Sequence, residues 1–177
     1  MSDERLRLFV ALGVDRSARR EIVRLQGTLW EEGSKGLTRP ENLHLTLAFL
    51  GEMSSGRLDD IRWAMDKVRM EPPELIFDRL GVFRQSGGEI WWLGIKRNQT
   101  LEELQYRLTD NLAYKGFRLE ERTFIPHLTL SRRSQPKHYP KKEHLDKPIR
   151  SHVPSICLMQ SHQVDGKRVY TELYRTP

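Results

Sequence analysis

The sequence predicts a single domain of mixed helices and strands whose second half repeats the order of its first. Three observations carry this. The tetrapeptide His-Leu-Thr-Leu occurs twice, at His44 to Leu47 and at His127 to Leu130, once in each half of the chain. Each copy lies in a run of alternating apolar and polar residues, the period of a half-buried strand. Ahead of each copy stand a strand-like segment and a stretch with apolar residues at helical spacing. At 177 residues the chain suits one domain, or one domain with two lobes, and can bury a sizeable core.

The first element reads directly from the residues. Arg5 to Leu12 begins in alternation and becomes wholly apolar, as a strand covered on both faces at its end. Asp15 is a candidate cap for a helix running to about Trp30, with Ala18, Ile22, Leu25 and Leu29 on one face. Arg16, Arg19, Arg20 and Arg24 fall elsewhere, on a solvated surface. Gly33 to Pro40 is a loop, and the first His-Leu-Thr-Leu strand follows. Strict alternation puts Leu43, Leu45, Leu47 and Phe49 on its buried face and His44, Thr46 and Ala48 on the other, with Gly51 as the end.

Ser54 or Ser55 is set to cap a second helix, with Leu58, Ile61, Met65 and Val68 inward, running to about Met70 and stopped by Pro72-Pro73. Glu74 to Phe83 and Glu89 to Ile95 form a hairpin through Ser86-Gly87-Gly88. Trp91 and Trp92 lie on opposite faces, and parity does not say which is core. Thr100-Leu101-Glu102-Glu103 reads as a capping box for a helix carrying Leu101, Leu104, Leu108 and Leu112, closed by Gly116. In the second motif strand Phe124, Pro126, Leu128 and Leu130 share one face and His127, Thr129 and Ser131 the other. Pro126 suggests an edge position or a bulge. Arg132 to Arg150 reads as a long basic loop, either a solvated connection or a substrate contact. Ser155 to Gln163 and Lys167 to Tyr174 close the fold as a hairpin about Asp165-Gly166.

Composition bounds the function. No apolar run approaches the roughly 20 residues needed to span a bilayer, and the charged start, Met1 to Arg5, is not a signal peptide; the expectation is a cytoplasmic protein. The lone Cys157 excludes an internal disulfide and reads as a buried small hydrophobe. A net charge of +6 weakly favours a polyanionic partner such as RNA.

Chemistry concentrates in the repeat. Two imidazoles facing each other across a cleft can act as acid and base in one displacement at phosphorus, because their ordinary pKa allows one neutral and one protonated ring. Thr46 and Thr129, two residues along on the same faces, offer hydroxyls to phosphate oxygens. Hydrolysis of a cyclic phosphodiester fits, with no metal or other cofactor. Zinc is disfavoured because two histidines on separate strands lack further ligands. A single His-x-Thr is more often a packed structural histidine; the pair reverses that preference. His138, His144, His152 and His162 show no partner pattern.

The two motifs, in the settings His44-Leu-Thr-Leu-Ala-Phe-Leu-Gly51 and Pro126-His-Leu-Thr-Leu-Ser-Arg132, resemble the 2H phosphoesterase superfamily. Within it the chain is similar to bacterial and archaeal RNA 2′,3′-cyclic phosphodiesterases, the LigT-like or 2′-5′ RNA ligase proteins. The resemblance runs nearly end to end, through Arg7 to Leu12, Trp92 to Gly94, Gln160-Ser161 and Gly166. It implies a two-lobed, pseudo-twofold α+β fold, one bilobal domain over residues 1–177, with antiparallel sheets lining a central cleft and helices outside. It implies hydrolysis of RNA 2′,3′-cyclic phosphate ends, tRNA fragments included, to 2′-phosphomonoesters. His44 would be the proton donor, His127 the proton acceptor, and Thr46, Thr129 and Arg132 the phosphate ligands. Alternation puts Arg132 opposite His127, so its role requires the strand to twist or end first. The donor and acceptor labels remain exchangeable on sequence. A minor, reversible 2′-5′ ligation is compatible with the same site. A non-catalytic binder of RNA ends or nucleotides is the competing reading, and a monomer is the default state.

Overall fold

The computed structural model describes residues 3–177. Eight strands and three helices follow in order: β1 (Arg5–Gly13), α1 (Arg16–Leu29), β2 (His44–Ser54), α2 (Leu58–Asp66), β3 (Leu75–Gln85), β4 (Gly88–Ile95), α3 (Gln99–Tyr114), β5 (His127–Arg132), β6 (His144–Ser151), β7 (Cys157–Val164) and β8 (Lys167–Arg175). The paired strands are antiparallel and form one open sheet, ordered β6-β3-β4-β5-β2-β1-β7-β8. The α+β, two-lobed expectation is borne out. β2-β1-β7-β8 make the first half-sheet and β6-β3-β4-β5 the second. β2 and β5 meet through one register pair, Leu45 with Leu128, and the loop before β2 adds a bridge from Leu37 to Ser131, so the two expected sheets are a single sheet with a narrow seam.

The helices cross over. α1 follows β1 but packs against β6, in the other half. Its cap explains this: Asp15 accepts from Ala18 N at 2.9 Å and from His152 N at 2.9 Å, and Asp15 N donates to Ser151 Oγ at the end of β6. α3 follows β4 but packs against β2 and α2. Together they bury one apolar core that includes Ile22, Leu45, Phe77, Leu93, Leu104, Leu108 and Leu128. Each such side chain removed from water contributes roughly 1.5–3 kcal/mol. The inward face of α1 differs from the reading. Gln26 is buried with Ala18 and Ile22, while Leu25 and Leu29 are only partly covered.

Several element ends also differ. β2 runs past Gly51, which adopts φ +72, to Ser54. Ser54 caps a single 3-10 turn, Ser55–Arg57, ahead of α2 rather than α2 itself. Asn98, not Thr100, caps α3, accepting from Leu101 N at 3.0 Å. Gly116, at φ +81, closes it as expected. Pro126 lies just before β5, which is central rather than an edge, so no ladder donor is lost. The stretch read as a long loop contains β6, paired with β3 through Phe77 and Ile149. The closing hairpin forms as read, with Asp165 at φ +49 and Gly166 at φ +74.

Two departures matter for function. In β1–β2 pairing Val10 faces Ala48 but Ala11 faces Thr46, so Leu47 is an extra residue. In β4–β5 pairing Trp91 faces Ser131 but Trp92 faces Thr129, so Leu130 is extra. These are β-bulges, each at the last residue of a His-Leu-Thr-Leu, and each reverses the alternation after it. Ala48 and Ser131, expected beside the histidines, are buried at 6% and 0% exposure, whereas Phe49, expected in the core, is 42% exposed.

Candidate active site

A cleft of about 720 Å³ opens over the seam. β2 supplies His44, Thr46 and Phe49 to its lining, and β5 supplies His127, Thr129 and Arg132. All five residues singled out in the sequence therefore face one cavity. The bulge at Leu130 removes the parity objection to Arg132, the last residue of β5: one added residue turns that side chain to the histidine side.

The two imidazoles are held alike. His44 Nδ1 lies 2.6 Å from Asn42 O, and His127 Nδ1 lies 2.7 Å from Ile125 O, each the carbonyl two residues earlier. A carbonyl only accepts, so Nδ1 carries the proton and donates, which leaves Nε2 of the neutral ring as the acceptor. His44 Nε2 is 3.0 Å from Thr46 Oγ1, which donates to it. Aromatic rings pack around each histidine. Phe9 and Tyr170 lie with ring centres 4.9 and 5.2 Å from His44, and Phe83 and Trp92 lie 5.3 and 5.9 Å from His127. The choice between the tryptophans is thereby settled: Trp91 is core, and Trp92 is the one beside the histidine.

This packing sets the electrostatics. Burial pushes the His44 pKa down to about 4, against the hydrogen bond to Asn42 O, and the charges of Arg132 and His127 lower it further. Burial also pushes His127 below its ordinary value, again opposed by its carbonyl bond and helped by Arg132. In the free protein both rings are neutral at pH 7. An anion placed between them would counter Arg132 and favour the protonated forms.

The rim is cationic. Arg7, Arg39, Lys167 and Arg168 line the cleft with Arg132, and among the described residues no carboxylate does. Arg39 Nη2 and Asn42 Nδ2 both donate to Arg168 O, at 3.0 and 3.2 Å, tying the β7–β8 hairpin to the loop before β2. The Arg7 guanidinium sits 5.0 Å over the Phe49 ring. Sequence reasoning named none of these rim groups. Alternation in β1 already placed Arg7 opposite Leu6 and Leu8, and that signal was usable; the bulge hid Phe49.

The remaining histidines lie outside the cleft lining. His162 Nε2, for one, bonds Thr171 Oγ1 at 2.7 Å. Cys157 is buried, and burial pushes its thiol up to about 11, so it is not an activated nucleophile. Among the described residues, no three of His, Cys, Asp and Glu come together as a metal site, and no helix is long and apolar enough to cross a membrane.

Comparison with known proteins points the same way. A sequence model of the 2′-5′ RNA ligase superfamily matches residues 10–165. The chain is 30% identical to an RNA 2′,3′-cyclic phosphodiesterase of Methanothermobacter thermautotrophicus, over 96% of this chain and 97% of that one. It is 34% identical to a protein of the same description from Archaeoglobus fulgidus, over 72% of each. Its fold superposes on Escherichia coli LigT complexed with NADP+ at a TM-score of 0.81 and 26% identity, covering 97% of each chain. LigT complexed with 3′-AMP gives 0.77 at 26% identity, over 98% of this chain and 97% of the other.

Proposed function

This chain belongs to the 2′-5′ RNA ligase superfamily, and from that premise we propose that it hydrolyses RNA 2′,3′-cyclic phosphate ends to 2′-phosphomonoesters by two-histidine acid–base catalysis. The observation that carries this reading is the matched pair of rings, each with Nδ1 fixed on a carbonyl and both in one carboxylate-free cleft. His127 Nε2 takes a proton from water, whose oxygen forms the new bond to phosphorus. The bond from phosphorus to O3′ breaks, and His44 Nε2 gives its proton to that oxygen. The 2′-phosphate is left on the ribose. His127 is assigned the base and His44 the donor from the family resemblance, not from the free-state electrostatics, since burial holds both rings neutral before the ligand binds. His44 takes its proton once the phosphate anion offsets the burial that disfavours imidazolium. Thr46, Thr129 and Arg132 hold the non-bridging oxygens, the guanidinium matching a phosphate in shape and charge.

The substrate is an RNA or oligonucleotide end, tRNA fragments among them, handled without a cofactor by a cytoplasmic monomer in which residues 1–177 act as one bilobal domain. Relatives described as RNA 2′,3′-cyclic phosphodiesterases support the substrate class. Ligation through a 2′-5′ bond is the reverse of cleaving such a bond here, and water drives the balance toward hydrolysis.

The deciding experiment incubates the protein, in chelator, with an RNA ending in a 2′,3′-cyclic phosphate and identifies the product. A 2′-phosphate is expected, with turnover falling at least about a hundredfold in His44→Ala and in His127→Ala. Binding without turnover identifies an RNA-end binder instead. Near-native turnover in either variant overturns the mechanism.

A further inference from the structure

The bulges that turn Arg132 and Phe49 into the cleft carry a cost of their own. A bulge removes its extra residue from the ladder, and a buried backbone carbonyl left without a donor is destabilising. Here both extra residues have a donor, and it comes from a helix in each case. Gln26 of α1 donates through Nε2 to Leu130 O at 2.9 Å and to Thr38 O at 3.0 Å. Gln105 of α3 donates through Nε2 to Leu47 O at 3.3 Å. The arrangement is crossed: the helix after β1 serves the bulge in β5, and the helix after β4 serves the bulge in β2. Gln26 is 5% exposed on a helix face otherwise made of Ala18 and Ile22, an expensive place for an amide unless its bonds are needed. Neither glutamine lines the cleft, so neither touches a ligand there.

We propose that Gln26 and Gln105 are positioning residues for the reaction: each holds the bulge carbonyl of the opposite half's His-x-Thr strand and so keeps the side chain two residues on, Arg132 or Phe49, aimed into the cleft. Without the amide, the regular alternation of β5 competes with the bulge, and regular alternation points Ser131 inward and Arg132 away. The loop before β2 assists, since Thr38 N also donates to Leu130 O and Arg132 N donates to Gly36 O, both at 2.8 Å. Gln26 spans both partners of that junction. The proposal rests on the phosphate-binding role given above to Arg132.

The test is a double-mutant cycle on the full-length protein, Gln26→Met with Arg132→Ala, read as kcat and KM on a cyclic phosphate and as binding of inorganic phosphate by calorimetry. Methionine keeps the length and burial but cannot donate. Gln26→Met alone is expected to weaken phosphate binding and raise KM about tenfold, with the loss shrinking to under about twofold when Arg132 is already alanine. A purely structural role moves the melting temperature and costs the same factor in both backgrounds, and that outcome overturns the proposal. Unchanged KM and phosphate affinity in a folded Gln26→Met protein overturn it as well. If Gln26→Met does not fold, Gln105→Met with Phe49→Ala is the cycle that decides, since Gln105 is only partly buried. Absence of wild-type turnover would sink the hydrolase reading, while the phosphate-binding cycle would still judge the glutamines.

Discussion

Burial gives His44 and His127 their chemical character, and it makes two pH predictions. A His44 pKa of about 4 in the folded state, against an ordinary 6.5, means that the unfolded chain binds a proton the folded chain refuses. Stability is therefore full above pH 6.5 and is lost as pH falls toward 4; His127 shifts in the same direction. The loss attributable to His44 approaches roughly 3 kcal/mol at the acid end. Melting temperatures from pH 7 to 4.5 should fall more steeply for the native protein than for His44→Asn; parallel curves would contradict the assignment. The second prediction concerns rate. Because kcat/KM reports the free protein, its profile on a cyclic phosphate should peak on the acid side of 6.5 and decline above it, while kcat, reporting the occupied site, lies higher. At this scale the sequence was most informative. His44, Thr46, His127 and Thr129 could be named because side-chain alternation is a local property. Phe49 needed the fold, and Arg7, whose face alternation did give, needed it to be placed at a cleft.

Strands and helices obey the same local rules until an inserted residue or an edge suspends them. Period-two reasoning assumes an unbroken ladder, so it could not see the bulges at Leu47 and Leu130, and every face assignment beyond them inverted. β6 was missed for a different reason. It is an edge strand paired only with β3, so its sequence, His144-Leu-Asp-Lys-Pro-Ile-Arg-Ser151, can be polar and hold a proline. Asn98 was passed over as a cap because Thr100 offered a more familiar pattern. Two glycines test this level. At Gly36, φ is +84 and an added Cβ would stand 2.1 Å from Arg132 O. Gly36→Ala should destabilise by more than about 1 kcal/mol and raise KM, measured by denaturant unfolding beside steady-state kinetics. At Gly81 an added Cβ would meet the Trp92 ring at 2.2 Å. Gly81→Ala should displace that ring from His127 and alter the His127 titration followed by proton NMR, with His44 unaffected.

Charge acts over the molecule as a whole. A net charge of +6 says little alone, yet the fold gathers Arg7, Arg39, Arg132, Lys167 and Arg168 around one carboxylate-free cleft. Binding of an oligonucleotide should weaken with salt, with a log–log slope of about −0.7 for each phosphate engaged. Arg168→Ala should flatten that slope for a longer RNA end and leave the slope for a cyclic mononucleotide alone; equal slopes for both ligands would remove the rim from the contact. No local pattern announced this gathering, nor the crossing of α1 and α3, because both depend on which half-sheet each helix covers. The seam adds a mechanical consequence. Leu45 and Leu128, the one register pair between β2 and β5 among the described residues, each adjoin a histidine in sequence. A pivot so near the two imidazoles would work as a short lever at the histidines and a long one at the rim. Small rotations there would carry Arg7 and Arg168, both on the first half-sheet, together relative to the second half while barely changing the gap between the two imidazoles, which on the function proposed above would let one acid–base pair serve RNA ends of different girth.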